Sequence, residues 1–229
     1  MEFFNNSVFF GVMLSLLAYG IGALLKQKFK LAIFNPLLIA VIIVIAVLAV
    51  SGIYYKVYNE GAKYISYLLT PATICLAIPL YEQFELLKSN WKAIAVGIFS
   101  GVLASLGSIL AMAVLFGFTH QEYVSFLPKS ITTAIGMGVS EELGGYVSIT
   151  VAIIVLTGVL GNMCAESVCK LFKIEEPIAK CIAICTASHA IGTSKAMELG
   201  DIEGAMSSLS IVVSGLITVI GASVFAQFM

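Results

Sequence analysis

Long apolar runs without a charged side chain dominate this sequence: Val8–Leu25, Pro36–Tyr54, Ala93–Phe116, Tyr146–Met163 and Gly204–Phe228. Each is close to the roughly 20 residues that an α-helix needs to cross about 30 Å of hydrocarbon. In water such runs must be covered by a polar shell. A chain of 229 residues that is 60% hydrophobic and 11% charged cannot supply one. The bilayer is therefore the expected solvent. Helices are the expected structure, because a helix satisfies its own backbone groups in lipid.

Two further apolar segments are interrupted. Ile65–Tyr81 is broken by Thr70, Pro71 and Pro79, and Ile178–Met197 by Thr186, Ser188, His189 and Gly192. Proline removes a helix hydrogen bond and glycine loosens the helix, so both segments are expected to be locally unwound. The stretch Ser130–Gly145 is short, polar for a membrane segment and rich in glycine. Met1–Asn6 has no basic region and no small-residue cleavage site follows the first apolar run, which is followed instead by Lys26, Lys28 and Lys30, so it reads as a retained anchor with its N-terminus outside.

Lysine placement then sets the topology. Lys26, Lys28, Lys30, Lys88 and Lys92 fall inside. Lys170, Lys173 and Lys180 join them only if Ser130–Gly145 enters and leaves on one side. The expectation is an all-α integral membrane fold of about seven transmembrane helices plus a re-entrant segment, with eight crossings as the alternative. Thr70–Glu82 can be laid on Thr186–Glu198, each an interrupted helix followed by a long one, running in opposite directions. This suggests an inverted repeat with two broken helices. The chain is read as one membrane domain, 1–229, with repeat-like halves 1–116 and 127–229.

Ionisable groups inside a membrane cost roughly 2.5–3.5 kcal/mol each on insertion scales, so they need a cavity, a partner or an interface. A helix starting at Pro128 would present backbone N–H groups together with Lys129, Ser130, Thr132 and Thr133, a set suited to a small carboxylate. The plainer alternative is a capped helix end with an interfacial lysine. Glu141 is open to three roles: a partner for Lys129, a carrier of a coupling proton, or a solvated carboxylate beside Glu142. Ser188, His189, Gly192 and Thr193 form the second group. His189 is the natural proton-coupling residue, since imidazole titrates near neutrality. Lys195 and Glu198, at i and i+3, can pair on one helix face. Gly97 and Gly101 allow a close helix approach, for internal packing or, less favoured, a dimer. Asn35 is expected to cap the helix opened by Pro36.

Other classes find little footing. All twelve basic residues are lysine and none is interleaved with aromatics in a cluster, which excludes a nucleic-acid surface. The five cysteines are scattered and suggest neither disulfides nor a metal site, and no cofactor is implied. There is no HExxH, GxxxxGK[ST] or GxSxG motif. Ser188 and His189 are adjacent, so a regular helix would point them about 100° apart, which is poor geometry for a nucleophile and its base. The chain is not expected to be an enzyme.

Asn35-Pro-Leu, Leu69-Thr-Pro-Ala-Thr with Leu76-Ala-Ile-Pro-Leu-Tyr, Leu127-Pro-Lys-Ser with Thr132-Thr, Ser188-His-Ala-Ile-Gly-Thr and Glu203-Gly-Ala stand in order at fitting spacings. Together they resemble the LrgB/CidB family over nearly the whole chain. One departure is Ala134, where many relatives carry a proline after the Thr-Thr pair. The resemblance implies a multi-pass protein of the bacterial inner (cytoplasmic) membrane. It also implies two kinds of function. Bacterial members are described as holin- and antiholin-like proteins that influence murein hydrolase activity and autolysis beside a smaller LrgA/CidA-type partner. Plastid relatives look like glycolate/glycerate carriers and some bacterial ones like pyruvate carriers. From the residues, the leading expectation is a carrier of small monocarboxylates, bound by the Lys129 and His189 groups, with proton coupling through His189 or Glu141 as an addition. The alternative is the lysis regulator. A homodimer is expected, the usual arrangement for carriers of this size.

Overall fold

The computed structural model describes residues 9–29, 34–75 and 77–229, apart from the side chains at 69, 70, 73, 79 and 80. It is helical with no strand among the described residues. The chain divides into two compact units, Met1–Cys75 and Leu76–Met229.

The first unit holds α1 (Phe9–Phe29), α2 (Pro36–Ser51), α3 (Tyr55–Ser66) and α4 (Leu69–Cys75). α1 packs on both α2 and α3. The approach to α3 is backbone to backbone: Gly11 faces the Tyr58 carbonyl and the Ala62 N–H, and the Ser15 and Tyr58 hydroxyls lie 2.8 Å apart. The Asn35 side chain caps α2, accepting from the Leu37 and Leu38 N–H groups at 2.9 and 3.3 Å. α2 stops at Ser51, short of the expected Tyr54, because Gly52 turns left-handed at φ 65° and its N–H returns to the Leu48 carbonyl. α3 was not anticipated. Its apolar residues are spaced for one helix face and interleaved with Lys56, Asn59, Glu60 and Lys63.

The second unit opens with α5 (Ala77–Glu82), followed by α6 (Phe84–Phe116), α7 (His120–Phe126), α8 (Thr133–Glu142), α9 (Val147–Leu171), α10 (Pro177–Leu199) and α11 (Asp201–Phe225), with a closing 3-10 turn at Ala226–Phe228. α10 lies at the centre, against α6, α9 and α11. Its neighbour α6 turns inward Ile98, Val102, Leu106 and Ile109, which meet Tyr123, Leu127 and Met206 in the core. On α11 the packing is inverted relative to a water-soluble bundle. The buried residues there are mostly small or hydroxylated, among them Ser207, Ser208, Ser210, Ser214 and Thr218, while Val212, Leu216 and Ile220 face outward. Small residues inside and large apolar ones outside suit helices packed in lipid, where close approach and dispersion drive association.

Phe9–Phe29, Phe84–Phe116, Val147–Leu171 and Asp201–Phe228 are long and apolar enough to cross a membrane, and Pro36–Ser51 is apolar but shorter. α10 has the length, at 23 residues, but carries Thr186, Ser188 and His189 in its middle. Between α6 and α9 the chain forms two short helices. α8 has 10 residues, about 15 Å at helical rise, and does not cross by itself.

Of the first expected interruption, Thr70 and Pro71 lie in α4 and Pro79 in α5. Both prolines fall in the opening turn of a short helix, where the missing N–H has no intrahelical partner to lose. Leu76 and the side chains of Thr70 and Pro79 lie outside the described residues.

Candidate functional site

α10 is not continuous. His189 has φ 42° and ψ −138°, so two helical pieces meet at that residue. A side chain at positive φ costs about 1–3 kcal/mol, so the break persists only where its surroundings hold it. Here they do. The His189 Nε2–H donates to the Ile154 carbonyl of α9 at 2.9 Å. Past the break, the Asn162 amide donates to the Ile191 carbonyl at 2.9 Å, and the Ser194 hydroxyl donates to the same carbonyl at 2.7 Å. The Thr193 hydroxyl lies 3.3 Å from the His189 carbonyl and accepts from Ser207 at 2.7 Å, while Ser207 also contacts the Cys185 thiol. The interruption was legible from Ser188, His189 and Gly192. The residues that hold it, Asn162 and Ser207, were not, because each lies on another helix within an otherwise apolar run.

Glycines on α9 make the break possible. A Cβ at Gly158 would sit 2.8 Å from His189 Nε2, and one at Gly161 would coincide with the Ser188 side chain. The histidine and serine therefore fill the space that those two glycines leave. Ser188 and His189 are 1% and 3% exposed, and the Ser188 hydroxyl and His189 Nδ1 have no hydrogen-bond partner among the described residues. Leaving such a group unpaired costs roughly 1–3 kcal/mol. Gly192 and Thr193 are buried in the same turn. All four residues expected on this wall thus come together.

The second expected group is assembled differently. Pro128 does not open a helix. Leu127 continues the last turn of α7, the Pro128 carbonyl accepts from Ile131 N–H, and α8 starts only after Thr132, which is extended at ψ 146°. The proline ring fits the closing turn of α7, so the anticipated N-terminus moves to Thr132–Thr133. Lys129 Nζ instead donates to the Ser130 hydroxyl at 3.0 Å, and Ser130 lies 3.1 Å from Ser105 of α6. Thr132 and Thr133 are half-buried beside it.

No carboxylate lies within ion-pair distance of Lys129 among the described residues. Glu141, considered as its partner, stands exposed with Glu142 in the last turn of α8, at the far end of that helix from the lysine. No hydrogen bond among the described residues joins the Lys129 and His189 groups. Their link is Ile154, whose carbonyl takes His189 and whose side chain packs on Gly136 of α8; Gly136 in turn faces the Pro128 carbonyl.

Two further polar arrangements flank the break. Lys195 bridges Glu198 at 3.1 Å, as expected, and also Glu166 of α9 at 2.6 Å, a partner that sequence spacing gave no hint of. The Thr150 hydroxyl, fully buried, lies 2.9 Å from the Ser125 carbonyl and 2.7 Å from the Ser140 hydroxyl, tying α7, α8 and α9 together. On the other side, α6 meets α10 through Gly97 beneath Ile182 and Gly101 beneath Thr186. That is the internal-packing role expected of this glycine pair. The same residues floor a cleft of about 630 Å³ between the two helices.

A profile of the LrgB-like family matches residues 15–228. The chain is 38% identical over 221 residues to the antiholin-like protein LrgB of Bacillus mycoides, covering 96% of each chain. The LrgB proteins of Bacillus cereus and Bacillus anthracis give the same identity and coverage. No solved structure matches. With a family profile spanning its transmembrane helices and the broken α10, this chain belongs to the LrgB-like family of membrane proteins.

Proposed function

We propose that this protein is an antiholin-like regulator of murein hydrolase activity and autolysis, working in the bacterial cytoplasmic membrane beside a smaller LrgA/CidA-type subunit. The observation that carries this reading is near-full-length similarity to proteins named antiholin-like, at 38% identity. We read the chain as seven crossings plus a re-entrant segment at Ser130–Gly145, N-terminus outside, with an inverted repeat and a homodimeric assembly. The test is complementation. In a Bacillus strain lacking its own relative, expression of this chain with the partner subunit lowers the rate of autolysis and the murein hydrolase activity of cell extracts. Unchanged lysis with the protein present in the membrane would refute the reading.

A second reading has its own observation. Secondary carriers form their substrate sites at broken helices, and here the break at His189 leaves a buried imidazole nitrogen and the Ser188 hydroxyl without a hydrogen-bond partner among the described residues. In this reading the chain carries small monocarboxylates such as pyruvate or glycolate. Lys129, Ser130, Thr132 and Thr133 then stand on one side of the path and Ser188, His189, Gly192 and Thr193 on the other, with His189 or Glu141 as proton carrier. Uptake of labelled pyruvate or glycolate into liposomes tests it. No uptake, with or without the partner subunit, removes it.

A further inference from the structure

Where α9 ends and α10 begins, the structure holds a pocket of about 300 Å³. That is the space of roughly ten waters at liquid density. Cys169, Ile174 and Leu199 are its apolar lining, and Lys170, Lys173 and Lys180 line it together with Glu166 and Glu175. Lys180 precedes the break at His189 and Leu199 follows it, so both pieces of α10 contribute.

The protein does not use up the positive charge of this pocket. Three ammoniums face two carboxylates. Glu166 is held by Lys195 at 2.6 Å and stands 3.8 Å from Lys170, whose side chain is exposed. Lys173 and Lys180 form no ion pair among the described residues.

Helix ends account for only one of the three lysines. A cation is favoured at a helix C-terminus, which suits Lys170 in the last turn of α9. Lys180 lies one turn into α10 from its N-terminus, where the same dipole disfavours a cation. Lys173 carries a backbone cost. Its N–H donates to the Lys170 carbonyl and the Ile174 N–H to the Cys169 carbonyl, closing α9 in a Schellman turn. That turn sets Lys173 at φ 53°, which glycine adopts freely and a lysine does not. At the ends of α2 and α6 the corresponding left-handed residues are Gly52 and Gly117.

The rim narrows the choice of ligand. Val168, Leu171 and Phe172, at the end of α9, are apolar and exposed, which suits hydrocarbon and not water. Ammoniums and lipid-facing surface therefore meet within one helical turn. An amphiphile with an anionic head satisfies both, whereas a soluble anion satisfies only the first.

We propose that this pocket binds the phosphate of an anionic membrane phospholipid, contacted by Lys170, Lys173 and Lys180, with the acyl chains along Val168 and Leu171. The proposal stands apart from both the lysis-regulator and the carrier readings. A headgroup bound here joins the end of α9 to both pieces of α10 and so stabilises the folded chain.

The test uses the full chain in detergent and reads the apparent Tm with phosphatidylglycerol, phosphatidylcholine of the same acyl chains, or soluble glycerol phosphate added. Phosphatidylglycerol at about 100 times its Kd should raise Tm by roughly 5–11 °C. The other two, at equal concentration, should not. Lys173→Gly removes one ammonium and relaxes the turn. It should be at least as stable as wild type without lipid, yet bind phosphatidylglycerol at least tenfold more weakly. A residue that only closes a helix would not show that pair of effects. Lys180→Gln should weaken binding similarly and carries the test if Lys173→Gly fails to accumulate. Lys56→Gln, at an exposed lysine of α3, should not weaken it. Equal stabilisation by the two lipids, or an equal loss in Lys56→Gln, would overturn the site. Equal stabilisation by glycerol phosphate would overturn the assignment to a lipid.

Discussion

Gly158→Ala should destabilise this protein, although alanine is the better helix former. In an unconstrained helix the change gains about 1 kcal/mol. At residue 158 the new Cβ would lie 2.8 Å from His189 Nε2 and 2.9 Å from Cε1, closer than carbon atoms pack. The ring cannot swing aside freely, because it is buried and bonded to the Ile154 carbonyl one helical turn earlier on the same face. Overpacking of this kind costs about 1–3 kcal/mol, and losing a buried hydrogen bond costs a further 1–3 kcal/mol or so. The net is a loss of roughly 1–5 kcal/mol once the helix gain is subtracted.

For a chain of this size, each kcal/mol moves Tm by about 2–4 °C, so a fall of roughly 2–20 °C is expected. Thermal unfolding in detergent, followed by the fluorescence of Trp91, measures it. The control is Gly107→Ala on α6, where a Cβ meets nothing within 4 Å and which should be neutral or slightly stabilising. If the two variants behave alike, the glycine–histidine fit does not hold the break.

Other substitutions probe separate parts of the structure. Gly101→Leu drives a side chain into Thr186 across the α6–α10 contact and should impair lysis control; Lys129→Ala and His189→Gln should leave lysis control unchanged if regulation needs no bound substrate, and a lysis assay in the complemented strain separates these outcomes. Thr150→Val keeps the shape but strips the hydroxyl from Ser125 and Ser140, costing about 1–3 kcal/mol, read as a lower Tm. Lys195→Ala removes the bridge between Glu166 and Glu198; since both carboxylates are half exposed, the loss is expected at about 1 kcal/mol and should shrink in high salt.

Glu122 accepts from the Thr119 N–H and hydroxyl at the start of α7, and these bonds hold its carboxyl below the usual carboxylate range. Its contribution is therefore present at neutral pH and lost as pH falls through the folded-state value. The stability advantage of wild type over Glu122→Gln should accordingly vanish in acid; an advantage that persists there would contradict the assignment.

The sequence revealed the membrane setting because apolar length is a local property, and Asn35 before Pro36 announced its own cap. The α10 break was legible for the same reason: hydroxyls, a histidine and a glycine in one turn are expensive in lipid wherever they point. What supports the break was not legible. Gly158 and Gly161 read as ordinary glycines in an apolar helix, and their role appears only when Ser188 and His189 are seen in the space above them. Glu166 could not be matched to Lys195, since the two lie on different helices. Pro128 misled because proline fits both the first turn of a helix and the closing turn of the one before, and the alternative that held was set by tertiary packing of Leu127 in the core. α3 was missed because its apolar face is narrow and its polar face dense, as in helices that lie along a surface and do not cross.

The measurement closest to the central claim is the lysis rate of a Bacillus strain lacking its own LrgB relative, with and without this chain co-expressed with the LrgA-type subunit. Autolysis should be slower and murein hydrolase activity lower when the chain is present. Identical lysis in both cultures, with the protein confirmed in the membrane at equal abundance to a functional relative, would contradict it.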